Sequence, residues 1–302
     1  MSILTATPNS RLRQVQGWGR RFVLLGLVGP AVAFILAILV PSLALLLVNS
    51  AYHFQGTRIV KIATFEAYRH FFTDPFYARV IVGQIRLAVV STVICLVIGF
   101  PAAYAIAKIR RPGWVIAAYI LIFSPLLTSS VVRAYGWLII LGRGGIVNWI
   151  LKSLSVAESP IRLIFNFTGV VIGLVHFLLP FTVFPILSVL LRMDPALKEA
   201  AADLGTTRLR TFLRVTLPLS FPGLFAAAQL TFVLAMNAFV APTLLGGGRV
   251  LVLPVLIFNN ISDLNWPLAA VEALVLITLV WATVFISNLL ARRALGLSQG
   301  AV

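Results

Sequence analysis

Six stretches of this 302-residue chain contain no Asp, Glu, Lys or Arg: residues 22–57, 87–107, 112–132, 163–191, 215–248 and 273–291. A helix rises about 1.5 Å per residue, so crossing a ~30 Å hydrocarbon layer takes about 20 apolar residues. The shortest charge-free stretch has 19. Ten-residue alternation, the mark of a membrane β-barrel, is absent. The pattern predicts an all-α integral membrane protein with six transmembrane helices, near 22–48, 84–107, 114–133, 166–191, 221–244 and 267–291. Composition agrees: 60% of residues are hydrophobic and 11% charged, against roughly 45–50% and about 25% in a soluble domain.

The net charge of +16 would suggest nucleic acid in a soluble chain. In a membrane protein, Lys and Arg gather on the cytoplasmic side, so no nucleic-acid partner is expected and lipid is the surrounding medium. Counting from the six spans, fourteen of the 24 basic residues fall on one side and ten on the other, where the loops are longer. Arg20-Arg21, Arg110-Arg111 and Arg292-Arg293 mark helix ends on the richer side. Both termini are therefore expected in the cytoplasm, with tails at 1–21 and 292–302 and a cytoplasmic loop at 192–220. The apolar run from Phe22 to Val48 exceeds a signal peptide's 7–15-residue core and lacks an A-x-A site at its end. It reads as an uncleaved first helix.

Two long outer loops remain, roughly 49–83 and 134–165. Helical spacing within Phe65–Arg79 and Ile146–Leu154 predicts short interfacial helices, plain loop being the alternative. Tyr68, Phe71, Phe72, Phe76, Tyr77, Trp137 and Trp149 are the expected headgroup-level anchors. Pro30, Pro41, Pro101, Pro125, Pro180 and Pro185 interrupt the spans. A membrane tolerates such breaks where neighbours or water satisfy the freed backbone groups. Gly169-x-x-x-Gly173 is a close-packing pattern.

Catalytic chemistry has little support. None of the four lysines, Lys61, Lys108, Lys152 and Lys198, follows a glycine, which excludes a P-loop. Gly142-Arg143-Gly144-Gly145 and Gly246-Gly247-Gly248 lack the spacing of a dinucleotide fingerprint. His53, His70 and His176 are scattered without metal-ligand spacing, and the single cysteine, Cys95, falls mid-span as a small buried residue. No catalytic residue, cofactor or metal is expected. Glu272 is the one acid inside a span; it faces a wet path or pairs with a polar residue of another helix. His176 reads as a hydrogen-bonded packing residue, with a proton relay as the alternative.

The 192–220 loop carries the most information. Asp194 is an N-cap, Pro195 takes the first helical position, and the following residues through Leu204 are good helix formers. Gly205 is the expected stop, with Thr206 capping a second short helix that Pro218 ends. Ten helical residues are not stable alone in water, so this helix needs a partner surface. Ala200 and Ala201 allow that partner a close approach.

Glu199-Ala200-Ala201, three residues, Gly205, nine residues, Val215, one residue and Leu217-Pro218 resembles the E-A-A-x3-G-x9-I-x-L-P motif of permease subunits in bacterial ATP-binding-cassette importers. Only Val215 departs, conservatively. Arg133-Ala134-Tyr135-Gly136-Trp137, the run Gly144 to Trp149, Ile161-Arg162, Ala241-Pro242 with Leu245-Gly246-Gly247, and Asn265-Trp266-Pro267 look like the spermidine/putrescine branch of that family. That branch often has Asp where this chain has Asn265.

The resemblance implies a type I importer permease in a bacterial inner or plasma membrane, without enzymatic activity of its own. It implies two separate ATP-binding subunits, a second permease subunit (a paralogue or this chain again) and a periplasmic or extracellular solute-binding protein. Glu199, Ala200, Ala201 and Gly205 would form the helix that docks on the ATPase, flanked by Asp203 and Arg208 and closed by Leu217 and Pro218. Glu272, Tyr135 and Trp137 are candidates for the solute path. A polyamine is the favoured cargo and another small organic solute the alternative. An ion-coupled carrier or a membrane enzyme would need buried ion ligands or a polar cluster that this chain does not display.

Overall fold

The computed structural model describes residues 10–55, 58–155 and 159–294. The outer ends of both expected tails, 1–9 and 295–302, lie outside the described residues. The chain is built almost wholly of helices. α1 (Ser10–Ser50) leads into a β-hairpin, β1 (Tyr52–Gln55) with β2 (Arg58–Ala63), in which Gln55 pairs with Arg58. α2 (Glu66–Thr73) precedes the long α3 (Pro75–Ala107). α4 (Pro112–Phe123) ends in a 3-10 turn, Ser124–Leu127, before α5 (Ser130–Leu141), α6 (Ile146–Ser153) and α7 (Phe167–Arg192). The 192–220 loop holds α8 (Ala196–Asp203), α9 (Arg208–Thr211), a π-helical turn at Phe212–Thr216 and α10 (Leu217–Leu219). α11 (Phe221–Met236), α12 (Val240–Leu245), α13 (Leu253–Ser262) and α14 (Trp266–Ala294) complete the chain.

Five helical stretches are long and apolar enough to cross a membrane: Val28–Ser50, Pro75–Ala107, Ser130–Ser153, Phe167–Arg192 and Trp266–Leu289. Arg208–Leu219 with Phe221–Met236, bent by 58°, makes a sixth. Several details differ from the sequence expectation. The second span begins at Pro75 because Asp74 caps it, its side chain accepting from the Phe76 amide at 2.8 Å. The third lies further along the chain: the stretch expected at 114–133 is broken at Pro125, which cannot donate to the helical ladder, by a 3-10 turn between α4 and α5, and the apolar span runs from Ser130 to Ser153, into the segment expected as outer loop. The fifth helix stops at Met236, short of the expected 244. The hairpin, α12 and α13 went unforeseen in segments read as loops or as helix continuation.

α3, α7 and α11 pack on one another at the centre. The buried face of α3 carries Gln84, Ala88, Ser91, Cys95, Gly99 and Ala103, three or four residues apart, and such small side chains let helix backbones approach closely. A Cβ on Gly99 would sit 3.0 Å from the Thr182 Cγ2 of α7. Thr182 and Thr231 share a hydrogen bond of 2.8 Å between the buried faces of α7 and α11. Two apolar clusters are stacked along these helices, one around Leu87, Leu174, Leu178 and Met236 and the other around Ala103, Ile186, Leu187 and Ala227. α1 contacts the rest mainly through α14. Its remaining faces expose Phe34, Ile35, Ile38 and Leu45, as suits lipid or another apolar chain.

Of the expected anchors, Phe72 and Trp149 are exposed, but Phe71 and Tyr77 are core residues at 2% and 6% exposure. Their rings lie 4.5 Å apart, where α2 folds onto α3 and α14. The aromatic spacing in 65–79 therefore encodes packing as well as interface.

Candidate functional site

The loop between α7 and α11 folds much as its residue types dictate. The Asp194 side chain accepts from the Ala196 amide at 2.9 Å, and the Pro195 carbonyl accepts from the Glu199 amide as the first helical bond. α8 is followed two residues on by Gly205, whose φ of +71° is the left-handed conformation that glycine adopts without strain. Thr206 closes the turn rather than capping the next helix: its amide and hydroxyl both donate to the Ala201 carbonyl, at 3.2 and 2.6 Å. The cap of α9 is Thr207, one residue later than expected. The Thr206 and Thr211 hydroxyls are 2.8 Å apart, tying α8 to α9. This threonine triad was legible only as a run of possible caps.

Glu199, Ala200, Asp203, Gly205 and Arg208 are exposed, with Leu204 (83%) and Leu209 (68%) beside them. Ala201 turns inward at 9% exposure. Leu217 is half-buried and Pro218 exposed in α10, where the chain bends toward α11. Ser220 is buried at that bend and donates to the Thr216 carbonyl at 2.6 Å. The outcome is a short helix with a mixed acidic and apolar face, fixed to the ends of α7 and α11.

A cavity of about 290 Å³ lies between α5, α7, the end of α11 and α12. Phe177, Phe239, Leu174, Ala134 and Leu245 supply apolar wall; Ser130, Arg133, Trp137, His176 and Asn237 are its hydrogen-bonding side chains. The Trp137 indole Nε1 donates to His176 Nδ1 at 3.2 Å. The Arg133 guanidinium lies over the Phe177 ring, 4.9 Å from its centroid. A side chain at Gly173 would overlap Leu245 and meet Trp137, so this half of the glycine pair admits α12 and α5 to α7.

Gln84 holds the cavity's end of α11 in place. At 1% exposure, its Nε2 donates to the Met236 carbonyl at 2.6 Å and its Oε1 accepts from the Leu253 amide at 2.9 Å. A lone glutamine in a span is the available sequence signal for this role. Asn148 of α6 does similar work, donating to the Gly142 and Ile161 carbonyls and accepting from the Ile161 amide.

Of the three candidate path residues, Trp137 lines the cavity. Tyr135 is 54% exposed on another face of α5. Glu272 is fully buried, its Oε1 accepting from the Asn260 Nδ2 at 2.8 Å. It joins α13 to α14. Among the described residues no cluster of His, Cys, Asp and Glu could hold a metal ion.

Residues 1–295 match the model of a family described as "Binding-protein-dependent transport system inner membrane component". The spermidine/putrescine transport system permease protein PotB of Escherichia coli (strain K12) is 38% identical over 206 residues, covering 67% of this chain and 74% of that protein. PotB of Haemophilus influenzae is 34% identical over 250 residues, covering 82% and 87%. The trehalose transport system permease protein SugB of Mycobacterium tuberculosis is 27% identical over 251 residues, covering 82% and 85%. A solved bacterial ABC transporter involved in alginate import shares the fold, with a TM-score of 0.73 at 18% identity over 93% of this chain and 99% of that one.

Proposed function

Since this chain belongs to the family of inner-membrane components of binding-protein-dependent transport systems, we propose that its cargo is a small organic amine of the polyamine class. The observation that carries the cargo class is the 38% identity, over two thirds of the chain, to a spermidine/putrescine permease. The subunit is non-catalytic, a multi-pass permease of an ATP-binding-cassette importer. It works with ATP-binding subunits, a second permease and a solute-binding protein.

The mechanism follows from connectivity. α7 runs from the cavity wall at Gly173–Phe177 to Arg192, and α11 runs from the 58° bend at Ser220 back to the cavity at Asn237. Both therefore join the cavity to the exposed face of α8. Sixteen residues of α11 span about 24 Å, so a tilt imposed on α8 by an ATPase would move the cavity wall as a lever. In this reading Glu199, Ala200, Asp203, Gly205 and Arg208 meet the ATPase. Ala201, Leu217 and Pro218 hold the docking helix to the membrane helices.

A solute of different charge is a second reading, favoured by Arg133 in the cavity wall, where no Asp or Glu contributes. The experiment is purification of the native assembly and measurement of ATPase stimulation by solute-binding proteins loaded with putrescine, spermidine or a sugar. Stimulation by a polyamine-loaded protein alone supports the cargo class, and stimulation by a sugar-loaded one overturns it. Glu199→Ala with Gly205→Pro should release the ATPase subunit; retention with full activity would remove the docking assignment.

A further inference from the structure

A second cavity, of about 130 Å³, opens at the outer ends of α1 and α14. Its polar side chains are Tyr52, just past α1, Glu66 and His70 of α2, and Asn265, just before α14; Ala67 and Leu268 add apolar wall. The transport reading gives these residues no role. Two backbone irregularities meet here. The β1–β2 ladder is broken between Tyr52 and His53, where Tyr52 pairs with Ala63 but His53 with Val60, and such a bulge re-aims the side chain beside it. On the Asn265 side, Leu264 has a φ of +62°, a costly conformation for a bulky residue. Bonds from the Leu264 amide to the Ile261 carbonyl and from the Asn265 amide to the Asn260 carbonyl hold it there. Strain of this kind persists where its surroundings over-determine it, and it clusters at ligand sites.

The cavity is rich in acceptors. Glu66 is 64% exposed and its Oε2 lies against His53 Nδ1, so the carboxylate keeps Oε1 for a ligand. The Asn265 Oδ1 accepts only a long bond, 3.4 Å, from the Leu268 amide, and a carbonyl oxygen has two lone pairs. Half-buried Tyr52 adds a phenol oxygen and a ring. Among the described residues no Lys or Arg lines the cavity. An ammonium group carries three N–H donors and no acceptor, and it is drawn to a carboxylate and to an aromatic face. The apolar wall at Ala67 and Leu268 suits the methylenes that carry such a group. A single water needs only about 10–15 Å³ of such space, so the cavity has room for an amine and a short alkyl stem.

We infer that this cavity is a binding site for a primary ammonium group, with Glu66 as its charged ligand and Asn265 Oδ1 and Tyr52 completing the acceptor set. It lies apart from the central cavity and goes beyond the permease reading, which contributes only its orientation on the outer side. Two sources share this chemistry. One is a soluble diamine on its way to the transport path. The other is the amine of a phosphatidylethanolamine headgroup, since exposed Phe65, Phe72 and Trp266 place α2 and the start of α14 at headgroup level.

The test uses the complete assembly in phosphatidylcholine nanodiscs, labelled with 3-fluorotyrosine; the Tyr52 resonance is identified by its loss in Tyr52→Phe. Two probes of equal chain length are titrated, 1,4-diaminobutane and butane-1,4-diol, which differ in charge. The diamine should shift the Tyr52 resonance saturably and the diol should not. Glu66→Gln should weaken the response roughly tenfold or more, Glu66→Asp should retain part of it, and Asn265→Asp should strengthen it. A flat diamine titration, an equal response to the diol, or an unchanged affinity in Glu66→Gln overturns the site. Repetition in phosphatidylethanolamine nanodiscs separates the sources. Unchanged diamine affinity there assigns the site to the soluble amine. A weaker affinity, with a Tyr52 shift caused by the lipid itself and abolished in Glu66→Gln, assigns it to the headgroup. Binding is read here without transport, so failure of the site is distinct from failure of the cargo reading.

Discussion

Replacing Gln84 by Leu isolates the brace between the transmembrane core and the broken end of α11. Leucine nearly matches glutamine in volume but neither donates nor accepts, so the Met236 carbonyl and the Leu253 amide both lose a buried partner. A net contribution of about 0.5–1.5 kcal/mol per hydrogen bond gives a combined loss of about 1–3 kcal/mol. Bonds between membrane helices average nearer 0.6 kcal/mol, which favours the lower end. If the loss falls on local opening of residues 236–253, the Leu253 amide should exchange with deuterium roughly 5 to 140 times faster, since about 1.4 kcal/mol is tenfold. Hydrogen exchange followed by mass spectrometry on the purified assembly reads this directly, with the α7 amides as an internal control. Unchanged exchange at Leu253 would refute the reasoning, because the backbone groups would then have other partners. Equal acceleration throughout α7 would refute the local assignment and indicate global loosening.

Thr182→Val and Thr231→Val should each lower the thermal stability of the assembly, and a double-mutant cycle should give a coupling of about 0.5–1.5 kcal/mol for their shared bond; additive effects would deny it. Gly205→Ala places a Cβ at φ +71° and should cost the α8 terminus about 1 kcal/mol, seen as weaker ATPase retention on purification, with Gly205→Asn milder. Asn260→Leu should destabilise by about 1.5–3 kcal/mol through loss of the bond to Glu272, whereas Glu272→Gln should be far milder; loss of uptake in Glu272→Gln at unchanged melting temperature would move Glu272 from brace to path. Gly173→Val should displace Leu245 and abolish uptake, and Leu245→Ala should recover part of it if steric overlap is the cause; failure of that rescue would reject the packing explanation.

The uneven return from sequence reading has a physical basis. The six charge-free stretches announce a membrane protein because each backbone polar group in hydrocarbon must bond within its own helix, and the apolar requirement is written residue by residue. The Asp194–Pro218 segment was legible for a similar reason: its capping aspartate, alanines and glycine act within a few residues of one another. Helix breaks were read less well. Pro125 marked a break, but the end of α11 at Met236 carries no proline and depends on Gln84, 152 residues away in sequence. Tyr135 and Trp137 looked equivalent in the motif, yet they face different sides of α5 and only Trp137 reaches the cavity.

Local chemistry, then, fixed the class of molecule, the helical material and the local fold of the 192–220 loop, since composition, caps and positive-φ glycine act over one or two turns. Whether a polar residue inside a span is brace, wall or ligand was decided by packing alone. Glu272 meets Asn260 across a helix pair, Gln84 meets two distant backbone groups, and Arg133 faces a ring and a cavity without an acid. Inside a membrane the low dielectric makes every buried polar group's partner decisive. Those partners come from helices far apart in the chain, so the roles of these three residues emerged only once the helices were assembled.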